Sequence, residues 1–185
     1  MKSIDMQFDP CIFSSFLGKQ FNGYRCDEFT FTNSVTQIVG MFIDDNSYKL
    51  TNIQEAVDYF GNPEDMAVCR FEECEDTDIQ SAFVDGNLKD TPVDGIIERI
   101  AIVNENQRVY EGGVQTYDVW LTRGVIFTVD GREISFEKEN VPFSEEIIIR
   151  KGYDLLNEFG GTDDFSQEWD EGITAIATRE VIALE

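Results

Sequence analysis

Gly124-Val125-Ile126-Phe127-Thr128-Val129-Asp130-Gly131-Arg132-Glu133-Ile134-Ser135-Phe136 is the stretch that decides the fold class. Asp-Gly supplies the positive φ angles of a type I′ turn, and Val129, Ile134 and Phe136 flank it at strand spacing, so the segment reads as a β-hairpin. Working outward, Val114 to Leu121 and Glu145 to Arg150 read as further strands on either side. Ile96 to Val103 reads as a strand, Asn104-Glu105-Asn106 as a turn and Gln107 to Glu111 as its partner. Tyr153 to Phe159 reads as a short helix closed by Gly160-Gly161, and Ile173 to Leu184 as a last strand.

The first half mixes strands with helix signals. Asp9 suits an N-cap, Pro10 the first helical position and Gly18 the C′ position, so Ile12, Phe13, Phe16 and Leu17 are expected on a short helix. Asn22-Gly23 signals a turn, with Glu28 to Thr32 alternating after it. Val35 to Asp44 reads as a long strand, and Asp45-Asn46 turns it into a second one through Tyr48 and Leu50. Asn52-x-x-Glu55 resembles a capping box, and Ile53, Ala56, Val57 and Phe60 follow at helical spacing before Gly61 and Pro63. Ala67 to Phe71 reads as a strand. The expectation is an α+β fold: a mainly antiparallel β-sheet of hairpins with a few short helices, in a single domain 1–185. Two similar lobes, 1–92 and 93–185, are the alternative, since a hairpin, a helix and an acidic segment follow one another in each half.

Composition narrows the function. The 185 residues include 37 Asp+Glu, 14 Lys+Arg and no His, for a net charge of -23. With 12% aromatic residues, 15 of them Phe, the chain is too rich in core-forming rings to be a disordered acidic tract. Such a charge repels phosphates, so nucleic acid and anionic membrane are not expected as direct partners. Missing histidine removes the commonest general base and metal ligand, and with them Ser-His-Asp and Cys-His nucleophiles and His-based zinc sites. Cys11, Cys26, Cys69 and Cys74 form no C-x-x-C pair, and free thiols are expected. The start reaches Asp5 and Asp9 before an apolar run develops, and the longest apolar run is Ile38 to Ile43. A cytoplasmic protein without a signal peptide or membrane span is therefore expected.

Catalytic motifs are missing too. There is no phosphate-binding loop, dinucleotide fingerprint or serine-nucleophile elbow, so the chain is not expected to be an enzyme or to carry a cofactor. Among so many acids, a glycosidase-like carboxylate pair has no distinguishing spacing. Asp44, Asn46, Tyr48 and Glu55 fall on calcium-loop positions, but Lys49 occupies the position that needs glycine, and no metal site is expected.

Charge placement remains. Between Leu50 and Leu88 there are ten acids and one base, Arg70; between Gly152 and Thr178 there are seven acids and none. The bases gather instead between Arg99 and Lys151. A globule of this mass exposes roughly 9,000 Å², so the net charge spread evenly gives about one per 390 Å². Duplex DNA presents about one per 110 Å² of its envelope. Gathering the excess on one face would close most of that gap.

A small, acidic chain without catalytic motifs is similar in character to the DNA-mimic inhibitors of phages and mobile elements, the anti-restriction and anti-CRISPR proteins. That resemblance of class implies a non-enzymatic inhibitor docking on a basic nucleic-acid-binding protein, such as a CRISPR effector or restriction enzyme. The expected contacts are Glu72, Glu73, Glu75, Asp76, Asp78, Asp163, Asp164, Glu168, Trp169, Asp170 and Glu171. Phe165 and Trp169 would anchor the contact, or else form the buried stripe of an amphipathic helix. An acidic structural or regulatory interaction module without DNA mimicry is the alternative, ahead of a carboxylate hydrolase or a calcium-binding protein.

Overall fold

The structure, a computed structural model, describes residues 3–29, 31–59, 62–167 and 169–185. In chain order the elements are β1 (Ile4–Met6), α1 (Pro10–Ser14), β2 (Gln20–Asp27), β3 (Ser34–Thr36), β4 (Ile38–Ile43), β5 (Asn46–Tyr59) and β6 (Asn62–Cys74). There follow β7 (Leu88–Glu111), β8 (Val114–Val129), β9 (Arg132–Lys138), β10 (Glu146–Gly152), α2 (Asp163–Gln167) and β11 (Ile173–Leu184). The fold is mostly antiparallel sheet. Its helical content is smaller than an α+β label suggests, because two expected helices do not form as such.

The strand order is β3-β10-β9-β8-β7-β2-β4-β5-β6, with β1 alongside β8 and β11 alongside β7. Only Gln37, at φ 68°, separates β3 from β4. The hydrogen-bonded run that starts at β3 therefore returns to the same stretch of chain at β4, closing a six-stranded barrel. The hairpin of β5 and β6 continues outward from β4 and leaves β6 at an edge.

Phenylalanines fill the closed end. α1 forms where its caps require: the Asp9 carboxylate accepts from the Cys11 amide, and Pro10 starts the helix. Gly18, at φ 77°, turns the chain just beyond it. Phe13 and Phe16 are thereby driven into the barrel, with Phe13 4.7 Å from Phe71 and Phe16 4.8 Å from Tyr48, ring centre to ring centre. Phe21, Phe127 and Phe136 continue the stack and are fully buried. Each such ring contributes about 1.5–3 kcal/mol by leaving water.

The Asp130-Gly131 turn forms as read, at φ 48° and 73°, and joins β8 to β9. The last strand also matches its expected span. Four readings are overturned. The capping-box helix through Ile53, Ala56 and Val57 is strand β5, paired residue for residue with β6; Phe60 and Gly61 lie outside the described residues. Cross-strand partners such as Leu50–Phe71 and Ile53–Val68 outweigh local helical spacing. Asn52, read as a cap, is fully buried and donates through Nδ2 to the carbonyls of Ser144 and Glu146.

The Asn104-Glu105-Asn106 turn is the middle of β7, whose real reversal is Gly112-Gly113. Asn22-Gly23 lies within β2, where the register slips against both neighbours; a Cβ on Gly23 would sit 2.6 Å from the Thr91 carbonyl. Tyr153 to Phe159 makes only a 3-10 turn at Leu155–Glu158. Among the described residues, no helix is long and apolar enough to cross a membrane.

Candidate functional site

The acids named above fall at the two ends of β6. At one end, Glu72 and Glu73 finish the strand, and Glu75, Asp76 and Asp78 sit on a following 3-10 turn, all exposed. Ile79 anchors this turn. It is 4% exposed and rests on Gly40, where a Cβ would meet its Cδ1 at 2.4 Å. Glycine in the middle of β4 is required by that approach.

The patch here is partly neutralised. Arg25 donates to Asp90 at 2.6 and 3.1 Å and to Asp76 at 2.6 Å, and its guanidinium lies 5.0 Å from the centre of the Phe42 ring. Those hydrogen bonds hold the Asp90 carboxyl below its ordinary range. Lys49 reaches Glu72 at 3.1 Å. Asp44 and Asp45, from the β4–β5 turn, join Asp76 and Asp90 around a shallow groove with Arg25 in it.

At the other end, α2 carries Asp163 and Asp164, and Asp170 and Glu171 follow it; Glu168 lies outside the described residues. Among the described residues, none of these four carboxylates is ion-paired to a Lys or Arg. Asp164 accepts a hydrogen bond from Asn140. Phe165 is half-buried, 6.4 Å from the Tyr117 ring and 5.5 Å from Trp169. Trp169 is 41% exposed and donates through Nε1 to the Phe165 carbonyl. Phe165 thus packs inward and Trp169 faces out.

Residues not singled out from the sequence complete this end. A groove of about 440 Å³ runs between α2, the β5–β6 hairpin tip and the β7–β8 hairpin. Glu64, Asp65 and Glu111 rim it, and Phe143 and Tyr117 join Phe165 and Trp169 on its walls. Among the described residues, no Lys or Arg lines it. These residues come from separate hairpins, so only strand register could have grouped them.

The two ends are not one cluster. Asp65 and Glu73 are eight residues apart on β6, about 26 Å at strand rise. Over 9825 Å² of surface the net charge averages one per about 430 Å², so its grouping at these ends matters more than its total.

Two bases of the basic segment, Arg123 and Lys138, are buried. Arg123 is 1% exposed between Glu137 at 3.2 Å and Glu105 at 4.0 Å. Arg179 binds Glu105 at 2.6 Å, and Arg150 binds Glu137. Lys138 is 6% exposed nearby. Of the bases that gather between Arg99 and Lys151, Arg123 and Arg150 therefore join a carboxylate network, and Lys138 is buried beside it. Among the described residues, no group of three or more Cys, Asp or Glu is placed to hold a metal ion. No family model matches this chain, and comparison with curated proteins and with solved structures found no match.

Proposed function

We propose that this protein binds, by its α2 end, a Lys- and Arg-rich surface that ordinarily grips nucleic acid, and so blocks it. One observation carries the reading. Glu64, Asp65 and Glu111 line, with Phe165 and Trp169 from the α2 segment, an aromatic groove that no Lys or Arg among the described residues lines. Exposed rings ringed by like charge supply an anchor together with long-range attraction for a cationic partner. CRISPR effectors and restriction enzymes are partner classes with such surfaces. The acids near Asp76, about 26 Å away along β6, would make a second contact on a partner groove of DNA-binding length.

A plain interaction module is favoured by one observation at that second patch. Arg25 and Lys49 occupy carboxylates that a phosphate mimic would leave free. Capture from a host extract separates the two readings. With the protein as bait, retained nucleic-acid-binding proteins that elute at high salt support the inhibitor; retention only of proteins indifferent to salt supports the module.

A further inference from the structure

A small cavity of about 20 Å³ lies where β1, β6, β8 and β9 meet, with Met6, Cys69, Thr122, Arg123, Lys138 and Asn140 on its walls. That space takes a water-sized sphere, so it can hold one water or a monatomic ion. Among the described residues, two cations and no carboxylate line it.

Lys138 is the anomaly. It is 6% exposed, yet it has no ion-pair partner among the described residues. Its Nζ donates only to the carbonyls of Glu139 at 3.4 Å and Val141 at 3.5 Å, both near the limit for a hydrogen bond. Arg123 is equally constrained. Its two Nη atoms bond Asn140 and Glu137, while Nε is buried without a partner.

The surrounding carboxylates are already shared. Glu105 serves Arg123 and Arg179, and Glu137 serves Arg123 and Arg150, so three arginines share two carboxylates and Lys138 is left without one among the described residues. Cys69 adds no charge, because burial pushes its thiol up to about 12. Burying unpaired charge is costly, and a neutral water would leave the excess uncompensated.

We propose that this cavity is a binding site for a monatomic anion, chloride under physiological conditions, held between the Lys138 ammonium and the Arg123 guanidinium. A halide supplies the missing counter-charge and accepts from the Lys138 ammonium and the unpartnered Arg123 Nε. The site is independent of the proposed partner surface.

Thermal unfolding in sodium chloride and in sodium gluconate, at equal ionic strength, tests it. Chloride should raise the wild-type Tm saturably by roughly 3–6 °C, and Lys138→Met should abolish the difference. Equal wild-type Tm values in the two salts, or a chloride effect that survives in Lys138→Met, would overturn the site. Where that variant does not fold, bromide-soaked wild-type crystals decide. An anomalous peak between Lys138 and Arg123 supports the site, and density for water alone overturns it.

Discussion

The Arg123 guanidinium lies 3.2 Å from the Glu137 carboxylate, and each side chain is 1% exposed. Glu137 also accepts from Arg150 and from the Gly160 amide, so it holds β8, β9, β10 and the chain before α2 together. Removing one partner of a buried pair strands the other. Glu137→Ala should cost about 3–5 kcal/mol in urea unfolding, while Arg123→Met with Glu137→Leu should cost less than the two single changes combined.

In chloride-free buffer, Lys138 and the buried thiols should pull stability in opposite directions above pH 8. Burial, with Arg123 adding to it, pushes the Lys138 ammonium down to about 8. The unfolded chain keeps that proton to about 10.4, so from pH 8 upward the unfolded state binds more protons and stability rises. Burial acts the other way on the thiols, pushing Cys26 up to about 11 and Cys69 to about 12. Unfolded thiols ionise from about 8.5, so from about pH 8 the folded state holds protons the unfolded chain has lost, which offsets the Lys138 contribution. Urea midpoints should fall more steeply above pH 8 in Lys138→Met than in the wild type, and equal slopes would contradict this.

Thiol labelling should divide the cysteines by depth. Cys11 is exposed and Cys74 partly so, whereas Cys26 and Cys69 are buried. An aromatic disulfide reagent at neutral pH should modify Cys11 quickly and Cys74 more slowly. Cys26 and Cys69 should react only at the rate of unfolding.

Gly40→Ala should release the acidic turn near Asp76. The added methyl overlaps Ile79, which must leave its seat on β4. A loss of about 1–3 kcal/mol is expected, with faster amide exchange at 76–79 than elsewhere. Ile79→Ala in the same chain should recover part of that loss.

The Asp130-Gly131 turn and the Asp9 cap were legible because they are local chemistry. Asp130-Gly131 and the Asp9-Pro10 start of α1 needed only φ preferences and one side-chain bond. Asn52 to Val57 was not, because helical spacing and alternation coincide over so short a run, and pairing with β6 decides between them. Asn104-Glu105-Asn106-Gln107 misled for another reason. Polar residues normally mark a turn, but here three buried ones are partnered: Asn104 accepts from Thr122, Asn106 donates to Asp118 and Glu105 binds Arg179. No nearby residue announces those partners. The acidic stretches themselves were visible, but the rim formed with Glu64, Asp65 and Glu111 depends on register.

The most direct test of the central claim is competition by DNA for a partner captured from the host. The fraction of that partner held by immobilised wild-type protein would be measured as duplex DNA is added, beside Asp163→Lys/Asp164→Lys and Trp169→Ala variants of unchanged Tm. DNA should displace the partner from the wild type, and both variants should bind it at least tenfold more weakly. Retention unaffected by DNA, or unaltered affinity in both variants, would contradict docking of the α2 surface on a nucleic-acid-binding groove.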